Sequence, residues 1–216
     1  MSKQKKKDQT KKAKTKNSKA EPKGHLIALD GVSGPMLGEE AQRLAHMCGE
    51  TAGWSSFDAS NTFHELRMAK SKTLTPTPRV LVLLYVSDLL FRLRWEIEPA
   101  LQEGGTVVVA PYVHTAMAFG LASGLSKEWL DQLFSFAPKP EAAFRLKEKK
   151  KGKKLDWNKN DLELPGFFEF CAATLTKQLP GWDADDVRAG MIEYLKDLEE
   201  RKEIRKLGKK GLKALK

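Results

Sequence analysis

A short apolar run, Leu26-Ile27-Ala28-Leu29, gives way to Asp30-Gly31-Val32-Ser33-Gly34-Pro35-Met36-Leu37-Gly38, and a helical pattern begins at Glu39. Strand, glycine-rich turn and helix together can hold phosphate groups, because backbone N–H groups point out of the turn and a helix N-terminus favours negative charge. Gly31, Gly34 and Gly38 are the candidate contacts. The complete pattern, GxxxxGK[ST], also needs a lysine for the phosphates and a hydroxyl for magnesium, and this turn has neither. Glycine serves tight turns for steric reasons too, so the three glycines alone leave both readings open. A second feature is the run Lys149, Lys150, Lys151, Lys153 and Lys154, which could attract a nucleotide or a nucleic-acid backbone, or form a solvated loop. The four histidines have no metal-ligand spacing, so no metal site is assigned.

The elements that must position these groups follow from hydrophobic periodicity. Leu26–Leu29 and Thr106–Ala110 read as buried strands, and Leu130–Phe136 as a weaker third. Ala41, Leu44, Ala45 and Cys48 give the first helix its apolar face, and Gly53 closes it. A turn is expected at 58–62, then a helix over 63–69. After Pro76 and Pro78 a long core helix is predicted over 81–101, with Leu84, Asp88, Phe91, Trp95 and Glu98 along it. A short helix is expected after Pro140, an amphipathic one from Phe167 through Leu175, and a last one capped by Asp183. Alternation of strands and helices predicts an α/β domain of three layers, a parallel sheet with helices on both faces.

At 216 residues the chain has room for one well-cored domain, and 41% hydrophobic residues exclude the disordered class. Its charge is uneven. Residues 1–24 carry +8, residues 145–159 +6 and residues 196–216 +5, which makes the remainder acidic although the chain totals +10. The expected organisation is therefore a disordered Lys-rich tail over 1–23, a folded domain over 24–199 with a basic loop at 145–160, and a basic helical tail over 200–216. No apolar run approaches the roughly 20 residues that cross a bilayer, so no membrane partner is expected. The basic N-terminus lacks the apolar core of a secretion signal. Cys48 and Cys171, both expected to be buried thiols, form no CxxC pair, which suits a reducing, cytoplasmic setting.

Four blocks in register resemble the thymidylate kinase family over about residues 25–199. Leu26–Gly34 is similar to the opening of F-I-x-[FL]-E-G-x-D-G-x-G-K-[ST], and Leu83–Asp88 with Ile97–Leu101 to L-L-F-A-A-D-R and I-x-P-A-L. Val107–Val113 with Ala118-Phe119 resembles V-[IV]-x-D-R-Y-x-x-S-x-x-A-Y, and Phe167–Phe170 resembles F-F-E-R. The resemblance implies a P-loop kinase fold, ATP and magnesium as donor and cofactor, dTMP as acceptor, and a homodimer. It assigns Asp58, Tyr85, Asp88, Arg92 and Tyr112 to the acceptor pocket, and the lysines at 149–154 to a lid over the donor phosphates.

The departures fall on the chemistry. Met36, Leu37 and Gly38 stand where the family has glycine, lysine and Ser/Thr, and Ala110 and Pro111 where it has Asp and Arg. Leu89 replaces the arginine that grips the monophosphate, which Arg92 could partly compensate. Phosphoryl transfer depends on such charges, each worth a factor of at least about a hundred in rate. The resulting expectation is a nucleotide-binding or scaffold homologue, a pseudoenzyme with impaired or absent catalysis. The alternatives are an active dTMP kinase, ATP plus dTMP giving ADP plus dTDP with lid lysines standing in, and a nucleic-acid-associated protein that binds through its basic tails.

Overall fold

A computed structural model of the chain describes residues 24–68, 76–147 and 166–207. Five parallel strands form one sheet in the order β2-β3-β1-β4-β5, with β1 at His25–Asp30, β2 at Ala52–Ser56, β3 at Thr106–Ala110, β4 at Ala142–Arg145 and β5 at Arg205–Lys206. The central strands β1 and β3 are the continuous apolar runs of the sequence, as strands covered on both faces require.

One face of the sheet is covered by α1 (Gly34–Cys48), whose Leu37, Ala41, Leu44 and Ala45 pack on Ile27, Leu29, Val108, Ala110 and Phe144. The other face carries the larger core under α3 (Pro78–Arg92), α5 (Val113–Ala122), α7 (Phe167–Gln178) and α8 (Ala184–Glu200). The three-layer arrangement is thus as expected. Shorter helices α2 (Thr62–Met68), α4 (Glu98–Gln102) and α6 (Lys127–Leu133) complete it, and a π-helical turn, Leu93–Ile97, joins α3 to α4. Thr77, Ser126 and Asp183 cap α3, α6 and α8 with their side-chain oxygens.

Several local expectations change. Leu130–Phe136 is no strand: Ser126 caps a helix there, and Leu130 and Phe134 turn inward one helical turn apart. The strand is instead Ala142–Arg145, where a short helix was expected, because its register against β1 fixes the segment after Pro140 in extended form. Gly53 does not close the first helix, which ends at Cys48 with Gly49 as its C-cap, but lies within β2. Along α3 the buried face is Leu81, Val82, Tyr85, Val86, Asp88, Leu89 and Arg92, while Phe91, Trp95 and Glu98 face solvent. Cys171 is buried, but Cys48, in the last turn of α1, is only half-buried. Ile204 is buried and Arg205–Lys206 pair with β4, in place of a helix continuing from 200. Residues 1–23, the lysines at 149–154 and residues 208–216 lie outside the described residues.

Candidate functional site

The β1–α1 junction is the first half of the site. Helix α1 begins at Gly34, five residues before Glu39, so the segment expected to be an open turn is its first turn. Pro35 supplies the reason: its fixed φ suits the first helical positions, where its missing N–H costs nothing. The Leu37 N–H donates to the Ser33 carbonyl (3.0 Å), an ordinary helical bond that removes a donor from the phosphate-facing set. Leu37 itself is buried against the sheet, and Gly38 lies beyond it on the helix with open space around its Cα.

An anion nevertheless sits at this helix N-terminus, and it belongs to the chain. Ser33 makes no side-chain cap; the Gly34 N–H donates instead to Glu169 Oε1 (3.0 Å), a buried carboxylate from the first turn of α7. The turn is closed from two sides. A side chain at Gly166 would meet the Gly34 Cα at 2.4 Å, and one at Gly31 would meet Leu146 at 3.3 Å and Leu37 at 3.4 Å. Sequence reasoning matched Glu169 only as part of the Phe167–Phe170 block and missed its role.

Asp30 anchors the same junction to α5. Its Oδ1 accepts from the N–H groups of Tyr112 (3.0 Å) and Thr115 (2.9 Å) and from the Thr115 hydroxyl (2.9 Å), which accepts in turn from the Gly31 N–H (3.1 Å). Asp30 Oδ2 is buried without a hydrogen-bond partner among the described residues. It is the kind of oxygen that binds magnesium, but the positions that would complete the set, 38 and 110, hold Gly38 and Ala110. Among the described residues no three His, Cys, Asp or Glu side chains converge as a metal site. The residues present therefore do not fit an ATP-bound magnesium.

The second half of the site lies on the inner face of α3. Asp88, fully buried, pairs with Arg92 (3.0 Å) one turn later and accepts from the Asp58 N–H (3.2 Å), the Ser60 N–H (3.0 Å) and the Ser60 hydroxyl (2.9 Å). Asp58, with a left-handed φ of 64°, accepts from the N–H groups of Phe63 (2.7 Å) and His64 (2.8 Å) and so caps α2. Burial pushes its carboxyl above the usual carboxylate range, and the neighbouring charge of Asp88 adds to this, while the two N–H bonds oppose it.

Arg92 is not the surface charge that a helix arginine usually is. It is fully buried, donates to the Pro111 carbonyl (3.0 Å) and to the Tyr85 hydroxyl (3.4 Å), and lies 5.6 Å from the centre of the Tyr85 ring. Tyr85 donates to the Tyr112 carbonyl (2.6 Å), and burial raises its phenol well above the ordinary range. Its ring, fully buried, packs against Phe167 (4.7 Å between centroids), Phe57 (6.3 Å) and Phe134 (6.4 Å). Tyr112 donates to the Pro138 carbonyl (2.6 Å).

All five residues expected in the acceptor pocket are thus buried, and Asp88 and Arg92 connect Asp58 to Tyr85. Their polar groups are bonded within the protein, and Phe167, Phe57 and Phe134 pack around the Tyr85 ring.

No family model matches the chain. It is 36% identical over 144 residues to a probable thymidylate kinase of Thermococcus kodakarensis, covering 56% of this chain and 65% of that protein. A probable thymidylate kinase of Pyrococcus abyssi is 29% identical over 136 residues, 57% of this chain and 65% of the relative. The matches to these relatives span less than two thirds of their length. Among solved structures, thymidylate kinase from Candida albicans aligns with a TM-score of 0.53 at 18% identity, over 85% of this chain and 83% of that one. The enzyme from Ehrlichia chaffeensis aligns with a TM-score of 0.53 at 16% identity. The chain is thus similar in sequence, over part of their length, to proteins named as probable thymidylate kinases, and it shares the parallel-sheet fold of the solved thymidylate kinases.

Proposed function

We propose that this chain is a thymidylate-kinase-like protein that does not carry out efficient phosphoryl transfer and acts as a folded scaffold homologue. The observation that carries the reading is the winding of residues 34–38 into α1 with the Glu169 carboxylate against its first N–H. A triphosphate would need that carboxylate to leave and the helical bond of Leu37 to break, with no lysine at 37 and no hydroxyl at 38 to compensate. The acceptor side supports the same reading, because Arg92 is held by Asp88, Tyr85 and Pro111 and has no exposed surface with which to grip a monophosphate.

Thermal melting with ATP and magnesium, and separately with dTMP, tests the reading alongside a coupled assay for dTDP. A ligand at a hundred times its dissociation constant stabilises a protein by about 2.7 kcal/mol. The expected outcome is no shift with ATP and magnesium, and no dTDP above a no-enzyme control. A shift with dTMP alone would favour a retained acceptor pocket, and steady dTDP formation by the purified chain would make it an active kinase instead.

A further inference from the structure

We propose that the open edge of the sheet at β2 is the docking site for residues 11–19 of this chain's own N-terminal segment. The proposal holds whether or not any nucleotide binds. Among the described residues β2 pairs with β3 on one side and with no strand on the other. Such an edge leaves a row of N–H and C=O groups free to pair with another extended segment, and proteins commonly cover it. The centre of the strand is also open on its face, because a side chain at Gly53 would meet nothing within 4 Å. Glycine inside a strand often marks the close approach of a second backbone. On the opposite face Trp54 stays 44% exposed, with the His46 ring beside it (5.9 Å between centroids).

Charge selects the occupant. The edge is built from residues 49–56 and from the segment 93–105, which meets them where the Ser55 hydroxyl donates to Glu96 (2.6 Å). Together these stretches hold Glu50, Glu96, Glu98 and Glu103 against a single basic residue, Arg94. The opposite edge of the sheet has the other sign: residues 201–207, which include β5, hold four basic residues and one acidic. A lysine-rich segment is thus drawn to one edge and repelled from the other. Residues 11–19 carry five lysines, no acidic residue and no proline. Lysine suits an edge strand, and the exposed Trp54 ring offers its face to an ammonium group.

The chain enters the sheet beside this edge. His25, Thr106 and Ala52 stand in one row across β1, β3 and β2, so residue 24 lies at the end of the sheet where β2 begins. A side chain at Gly24 would meet the Gly105 carbonyl, and one at Gly105 would meet the Thr51 carbonyl at 2.9 Å, which brings this entry point next to the turns that carry Glu50 and Glu103. From residue 24 to the free side of β2 is three strand spacings, about 14 Å, or roughly five residues of extended chain. Residues 19–23 suffice for that crossing, and the residues before them then run along β2 in the antiparallel sense. A segment tethered this closely meets its site at an effective concentration on the order of millimolar, an advantage that an unlinked basic protein lacks.

The test uses the full chain with photoactivatable benzoylphenylalanine in place of Thr15, which leaves every lysine in position. Illumination followed by peptide mass spectrometry is expected to link residue 15 to residues 49–56 or 93–105 of the same chain, as judged by mixing isotopically labelled and unlabelled copies. The E50K/E103K variant, altered only at exposed residues, is expected to lower the yield several-fold with an unchanged melting temperature. Added salt is expected to lower it in the parent, because the attraction is screened beyond about 8 Å at physiological ionic strength. A link confined to other surfaces, or no link, overturns the proposal and leaves β2 to another protein. A link between labelled and unlabelled copies overturns it by making the occupant a second copy. A yield that E50K/E103K does not change overturns it equally, because charge would then not select the segment.

Discussion

At the β1–α1 junction Leu37 and Gly38 stand where the resemblance implies a lysine and a hydroxyl, whereas on α3 a carboxylate, an arginine and a tyrosine are present but bonded to one another. The first region has no charged side chain at these positions, and the second has its charged side chains buried. The difference bears on how a sequence is read, because a retained residue type is no evidence of a retained role. Asp88 keeps its identity, yet among the described residues it and Arg92, one helical turn later, have as partners the Asp58–Ser60 turn, Tyr85 and the Pro111 carbonyl.

The sharpest way to break this contrast is Arg92→Met. If the α3 pair is structural, the variant leaves Asp88 buried opposite no charge and loses about 3–5 kcal/mol in urea unfolding. The double variant R92M/D88N should regain part of that loss, since it removes both charges. A loss below about 1 kcal/mol for R92M alone would mean that the arginine is free to serve a ligand.

Leu37→Lys probes the other region. With residue 37 held against Ile27 and Phe144 by the winding of α1, an ammonium group there should cost about 3 kcal/mol. Near-neutral stability would show that the segment opens into a phosphate-facing turn.

The smallest effect concerns Asp58. Its folded carboxyl titrates above its unfolded value, so it contributes stability that is complete below the unfolded pKa and is lost as pH rises through the folded one. The stability of the parent chain relative to D58N should therefore be greater at about pH 4 than at about pH 7. A difference that does not change with pH would remove the acidic turn from the contrast.

The parts of the fold that were legible share one property: their burial is symmetric. β1 and β3 are covered on both faces and so read as unbroken apolar runs. The edge strand β2, Ala52-Gly53-Trp54-Ser55-Ser56, has no such run because only Ser55 is buried. β4 is four residues long and carries two alanines, which suit a helix equally well until pairing with β1 decides.

The face of α3 was misread because polar residues occupy buried positions and apolar ones exposed positions, which reverses the usual inference from periodicity. The available signal was the Asp88–Arg92 spacing, which fits a buried ion pair as well as a surface one. At α1, Pro35 was the legible mark of a helix start, set against three glycines that suggested a loop. The Glu169 contact joins residues 135 positions apart, and no local pattern carries it.

The two stems that flank residues 148–165 meet at one place. On the β4 side Leu146 donates its N–H to the Asp30 carbonyl and packs on Gly31, and on the α7 side Gly166 rests on Gly34. The described residues on either side thus meet at a single turn of backbone, so a substitution that displaces that turn would shift both of them at once.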